Sequence, residues 1–299
     1  LPLYHIYTLT VNCLAFLSLG CTLILVPKPI PIENTISILK KYKVTVITGI
    51  NTLFNALNNN KEFQRLNLKH LKLTFAGGMA LQKHVAQRWQ ELTGCYITQG
   101  YGLTEASPIT HANIPTSTEI SDSIGIPLPS TDAKIVDDDG QELAIGQAGN
   151  LIIKGPQVMQ GYWNNPIATQ QVLKNGWLWT GDIAKRDEKG FFYIVDRKND
   201  LIIVSGFNVY PNEVEEMLCM HPKVLEAAVI GIPDIKSGQV PKAFIVKKDP
   251  SLSEEELRIF CKENLTNYKR PKYYEFVSSL PKSNIGKILR RELKESSHI

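Results

Sequence analysis

The decapeptide QGYGLTEASP, residues 99 to 108, places two glycines, an aromatic ring, a hydroxyl and a carboxylate within seven residues. On its own it reads as a turn, since Gly-x-Gly is common punctuation and Thr-Glu a frequent helix-entry signal. Other short stretches pair backbone freedom with a reactive group: FAGGM (75–79), WLWTGD (177–182), DRKND (196–200) and NIGKILRREL (284–293). Each has a plain structural reading as well. An Asp after Thr-Gly, such as Asp182, usually serves a turn, and a lysine in a basic tail, such as Lys287, is usually surface charge. His5 in LPLYHIY could equally be a core histidine with its hydrogen bonds satisfied. The five cysteines are scattered with no CxxC pair, which argues for free thiols in a reducing compartment and against zinc or a disulfide framework.

The elements that must position these residues follow an α/β rhythm. ENTISILKKY reads as a helix, VTVITGI as a β-branched strand, NTLFNAL as a helix start, LKLTFAGG as a strand ending in glycines, and LQKHVAQRWQELTG as an amphipathic helix stopped by Gly94. Parallel sheets built this way bind ligands at the carboxyl ends of their strands. AGGM and QGYGLTE both fall there. After Pro115 short strands and turns, marked by Asp139-Gly140 and Lys189-Gly190, suggest a small β subdomain. From about residue 199 a third texture begins: Pro211 suits the first turn of a helix, AAVIGI and AFIVKK read as strands, and Ser253 and Glu256 have capping-box spacing.

At 299 residues the chain suits two compact units, and its 43% hydrophobic and 21% charged residues are those of an ordinary globular protein. A net charge of +4 without a dense basic run fits polyphosphate ligands and gives no support to nucleic-acid binding. Residues 11–26, VNCLAFLSLGCTLILV, are too short and too interrupted for a membrane span, so a buried helix running into a buried strand is expected. Trp163, GFF (190–192) and the methionines are expected in the core.

Six segments, LPLYH, FAGGM, QGYGLTE, WLWTGD, DRKNDLIIVSGFNVYPNEVE and LPKSNIGKILRREL, resemble in identity and order the signature segments of the adenylate-forming enzymes, and most closely those of bacterial long-chain fatty-acid CoA ligases. The resemblance covers essentially the whole chain. It implies the carboxyl-terminal part of a large AMP-binding domain at 1–198, a parallel sheet with a small β subdomain, followed by a small mobile α+β domain at 199–299. It also implies ATP, Mg2+ and coenzyme A as cofactor and co-substrates, with a fatty acid joined to AMP and then to CoA. Carried over residue by residue, Glu105 is the magnesium ligand and Thr104 a phosphate contact. Gln99, Gly100, Tyr101 and Gly102 line the adenine pocket opposite Gly77 and Gly78. Asp182 grips the ribose hydroxyls, Arg197 contacts ribose or phosphate, and His5 lies near the acyl carboxylate. Lys287 is the expected catalytic cation for adenylation, offsetting the charge of carboxylate and α-phosphate. Asn199 occupies the hinge position, where many relatives carry Asp or Lys, and a turn about it would bring Gly206 to the pantetheine passage.

One part of the family pattern is missing. No Ser/Thr/Gly-rich loop ending in Lys-Gly is present, and PKSNIGK is no substitute because Pro281 stands where the first glycine of a phosphate loop is required. The expectation is therefore a chain truncated at its amino end that adenylates poorly or not at all by itself. Other aryl-CoA or fatty acyl-AMP ligases, and a non-catalytic nucleotide- or lipid-binding relative, remain as alternatives. The expected location is the cytoplasm, with peripheral contact at the inner face of the membrane.

Overall fold

β-branched residues dominate Val44–Ile50, and Val46–Gly49 forms strand β1, followed by helix Asn51–Asn58. The pattern repeats with β2 (Leu73–Ala76), helix Lys83–Thr93 and β3 (Ile97–Gly102). The structure, a computed structural model, describes residues 1–115 and 117–296. β1, β2 and β3 pair in parallel, so the carboxyl ends Gly49 of β1 and Ala76 of β2 lie in register with Gln99 of β3. β4 (Ile109–Ala112) and β5 (Ile126–Pro127) extend this sheet antiparallel. Gly94 ends the helix Lys83–Thr93 at φ +72°, the left-handed geometry that favours glycine at a helix stop. Beneath the sheet Trp89 is fully buried, edge-on to Phe54 (4.8 Å) and stacked on Phe63 (5.4 Å), with its indole N–H donated to Thr74. A ring buried this way contributes about 3–5 kcal/mol.

A second sheet has the order β10 (Phe192–Arg197), β9 (Trp177–Arg186), β7 (Gly149–Lys154), β6 (Asp132–Val136), with the short β8 (Leu173–Lys174) paired to β9. The expected turns are both present. Gly140 has φ +85° and Gly190 φ +84°, and Asp187 Oδ1 accepts from the N–H groups of Lys189 and Phe191.

Contacts divide the chain into two units: Leu1–Thr180 with Ala184–Ile194, and Gly181–Ile183 with the residues from Val195 onward. The division thus falls a few residues before the 198/199 join expected from sequence. The second unit holds a third sheet, β12 (Phe207–Val209), β11 (Ile202–Val204), β14 (Gly238–Lys247), β13 (Val224–Asp234), with β15 (Tyr273–Val277) parallel to β14. Helices Pro211–Cys219 and Glu254–Asn264 cover it, closing a core of Val214, Leu218, Ile245 and Leu257. Pro211 stands in the first turn of its helix, and Ser253 and Glu256 form the reciprocal capping box.

Two expectations are corrected. Residues 6–18 are helical, much of it as a π-helix over Leu9–Ala15, but Leu14 and Leu17 are exposed, and Gly20 (φ +74°) ends the helix without a strand following at 21–26. Only part of this segment packs on the sheet: Asn12 donates to Thr48 and the Tyr7 hydroxyl to the Phe75 carbonyl. Trp163 and Met220 are also exposed, because neither the loop before helix Pro166–Val172 nor the end of helix Pro211–Cys219 turns them inward. All five cysteines are free, and Phe192 is buried as expected. Among the described residues no helix is long and apolar enough to cross a membrane.

Candidate active site

In the first unit the glycines gather at the ends of β2 and β3. A Cβ on Gly77 would stand 3.4 Å from the Gly100 carbonyl and 3.5 Å from the Tyr7 ring, so FAGG, QGYG and the amino-terminal turn form one close-packed wall. Gly78 adopts φ +82°. Gly102 has no room for any side chain: its Cβ would lie 1.9 Å from the Pro108 carbonyl oxygen, where the chain doubles back and Leu103 N–H is donated to that same oxygen. These glycines let neighbouring backbone segments approach one another closely. Gln99 is buried and its amide is engaged by the Ser121 carbonyl at 2.6 Å.

Tyr101 packs its ring against His111, which is itself wedged against Phe192. His111 is fully buried, its Nδ1 lies 2.9 Å from the Thr110 hydroxyl, and burial lowers its pKa to about 4, so this ring is a neutral support. Thr104 and Glu105 follow on a single 3-10 turn, Thr104–Ala106, anchored by buried Ala106. Thr104 is exposed and Glu105 half-buried. Glu105 is held twice: Oε1 accepts from the Tyr162 hydroxyl at 2.8 Å, and its carbonyl accepts from Met159 N–H at 2.8 Å. Burial, then the hydrogen bond and charge of Glu105, push Tyr162 up to about 12, so it donates throughout the physiological range. His5 caps the first helical turn, accepting from Tyr7 N–H on Nδ1 at 3.3 Å, and the Tyr7 ring lies against the glycine wall.

In the second unit Asp182 and Arg197 approach to 3.9 Å, and Lys287 lies in the field of both. Lys287 sits on a hairpin closed by Ser283 N–H to its own carbonyl (2.8 Å) and Leu289 N–H to Pro281 O (2.9 Å), with Gly286 at φ +83° in the turn. Burial lowers its pKa to about 8; Arg197 and Arg290 push the same way, and Asp182 and Asp200 oppose. Gly206, at φ +85°, makes with Ser205 (φ +50°) the two-residue turn between β11 and β12, and a Cβ there would meet nothing within 4 Å. Lys282, in the same segment, is paired to Glu226 at 2.6 Å.

The sequence-derived residues therefore form two sets. The first unit assembles Gly77, Gly78, Gly100, Tyr101, Gly102, Thr104 and Glu105, and the second assembles Asp182, Arg197 and Lys287. Sequence reading missed Tyr7, Tyr162 and Arg290. Their partners lie 57 or more residues away; Arg290 falls inside NIGKILRREL, but nothing local identifies the residues it binds.

Among the described residues no group of three or more His, Cys, Asp or Glu could cage a metal. A half-buried carboxylate with one oxygen oriented by Tyr162 fits the way magnesium is held, by one or two carboxylates together with substrate phosphates and water.

Comparison with known proteins shows the family. A model described as AMP-binding enzyme matches residues 1–163, and one described as AMP-binding enzyme C-terminal domain matches 213–287. The long-chain-fatty-acid–CoA ligase of Escherichia coli O6:H1 is 56% identical over 99% of this chain and 53% of its own length. That of Bacillus subtilis is 46% identical over 98% of this chain and 53% of its own. The crystal structure of an anthranilate CoA ligase in complex with anthranoyl-AMP superposes with a TM-score of 0.93 at 32% identity, over 99% of this chain and 57% of that one. The chain thus spans about half the length of the curated relatives it matches. With glycine wall, carboxylate turn and cationic hairpin in place and a family model covering more than half its residues, this chain belongs to the AMP-binding enzyme family.

Proposed function

We propose that this chain forms part of an ATP-dependent long-chain fatty-acid CoA ligase. In the first half-reaction the fatty acid carboxylate attacks the α-phosphorus of ATP and pyrophosphate leaves, giving acyl-AMP. In the second, the CoA sulfur attacks the acyl carbon, its thiol proton is lost, and AMP departs. The observation that best supports this reading is the gathering of Asp182, Arg197 and Lys287 in one unit, a carboxylate suited to ribose hydroxyls beside two cations suited to phosphate.

In this reading the glycine wall and Tyr101 receive adenine, Thr104 contacts phosphate, and His5 lies beside the acyl carboxylate. Glu105, oriented by Tyr162, would hold magnesium, which supplies charge neutralisation on the phosphates when bound. Lys287 offsets the charge that moves between carboxylate and α-phosphate. Residues 199–299 turn about Asn199 between the half-reactions, withdrawing Lys287 and bringing Gly206 to the thiol's passage. Long-chain acids partition into bilayers, so the proposed place of action is the cytoplasmic face of the membrane.

The test supplies palmitoyl adenylate and CoA to the 299-residue chain, and palmitate and ATP in a parallel reaction. Palmitoyl-CoA should form from the adenylate, and Lys287→Ala should spare that step while abolishing any pyrophosphate release. A chain that binds no AMP and forms no thioester would overturn the reading.

A further inference from the structure

Arg290 lies three residues beyond Lys287, and none of the roles above uses it. Its side chain is only 15% exposed, and its donors are distributed over four side chains. Nε donates to Glu215 Oε1 at 2.9 Å, and Nη2 to Glu215 Oε2 at 2.7 Å and Asn212 Oδ1 at 2.6 Å. Nη1 donates to Asp200 Oδ2 at 3.0 Å and lies 3.8 Å from Asp196 Oδ1. Glu215 Oε1 also accepts Val229 N–H, which ties the cluster to β13. Asp196 is fully buried and accepts the N–H groups of Arg197 and Asn212. Burial works against charge on Arg290, but the carboxylates of Glu215, Asp196 and Asp200 outweigh it and hold the guanidinium ionised.

The cluster joins three separate places. Asp196 and Asp200 flank Asn199, Asn212 and Glu215 belong to helix Pro211–Cys219, and Arg290 stands at the base of the hairpin that carries Lys287. Buried ionic clusters rarely stabilise a fold more than apolar packing of the same volume would, whereas they do impose register. A planar fork with five donors suits that task better than a point charge.

The geometry points to Arg290 as a positioning residue for the first half-reaction: it fixes the Lys287 hairpin to the chain on both sides of Asn199, so that hairpin and hinge segment are held together during that step and the contact with Asp196 releases when residues 199–299 turn. This rests on the function proposed above.

Removing the guanidinium outright would leave Asp196 and Glu215 buried without a counter-ion, so the informative variants are Arg290→Lys, which keeps the charge and loses the fork, and Asp200→Asn, which releases one arm. Amide exchange on the 299-residue chain should show protection falling together, by tenfold or more in Arg290→Lys and less in Asp200→Asn, at Arg197 and at Ser283, Gly286 and Leu289, with β14 and the residues of β13 other than Val229 unchanged. The Lys287 amine faces Arg197, Asp182, Arg290 and Asp200. Followed by 13C-methyl NMR after reductive methylation, it should titrate about one pH unit or more higher in Arg290→Lys, because a released hairpin returns it to solvent. Formation of palmitoyl adenylate should lose at least tenfold in kcat with KM for ATP within threefold, and thioester formation from supplied adenylate should stay within threefold. Wild-type protection in either segment, an unmoved Lys287 titration, or equal loss of both half-reactions would overturn the proposal. If the unmodified chain catalyses neither half-reaction, the proposed ligase function falls, while exchange and titration still decide the role of Arg290.

Discussion

Replacing Lys287 by methionine should stabilise the second unit at neutral pH while removing the proposed cation. Burial, with Arg197 and Arg290 nearby, brings the amine from 10.5 down to about 8, which corresponds to about 3 kcal/mol of cost on the ammonium form. Below about pH 8 folded and unfolded chains both carry the proton, so the whole cost is present. Between about 8 and 10.5 the unfolded chain binds more protons than the folded one, so stability rises with pH; above 10.5 the cost is gone. Lys287→Met should therefore exceed the parent by about 2–3 kcal/mol at pH 7, with the advantage vanishing towards pH 10.5. All four tryptophans precede residue 180 and report on the first unit, so opening of the second is best read from amide exchange in β13 and β14. The same titration sets activity: Lys287-dependent adenylation should fall about tenfold per pH unit above about 8, and thioester formation should lack that limb. A methionine variant no more stable than its parent at pH 7, or a difference independent of pH, would refute the desolvation reasoning.

Two further expectations concern the first unit. Gly102→Ala drives a methyl into the Pro108 carbonyl and should cost about 3 kcal/mol or more, read as a lower midpoint in urea by tryptophan fluorescence, together with weaker AMP binding. Tyr162→Phe removes the donor that orients Glu105; stability should change by less than about 1 kcal/mol, while the Mg2+ concentration needed for half-maximal nucleotide binding should rise about tenfold.

Much of the fold was legible because its signals are local. β-branched runs, Gly94, Pro211, the Ser253–Glu256 box and the Asp-Gly and Lys-Gly turns each act within a few residues, and each stands where expected. The apolar run 11–26 misled because hydrophobicity alone does not say which strand would pair with it. Trp163 misled for a related reason: an aromatic residue enters a core only if its element turns it inward, and here it is 91% exposed. Among the site residues, Gly102 was recognisable by type, yet only the Pro108 carbonyl closing over it explains why no other residue fits.

What the sequence by itself determined is the alternation of strands and helices, the glycines that bend the chain, and the ordered segments that carry the family resemblance. What only the tertiary structure decided is who touches whom across long separations: Tyr162 on Glu105 57 residues apart, Tyr7 on the glycine wall, and Arg290 binding Glu215 and Asp200 across 75 and 90 residues. The reason is physical. Backbone geometry depends on the few residues at hand, whereas an ion pair or a hydrogen bond forms only after packing has paid the entropy of bringing distant segments together.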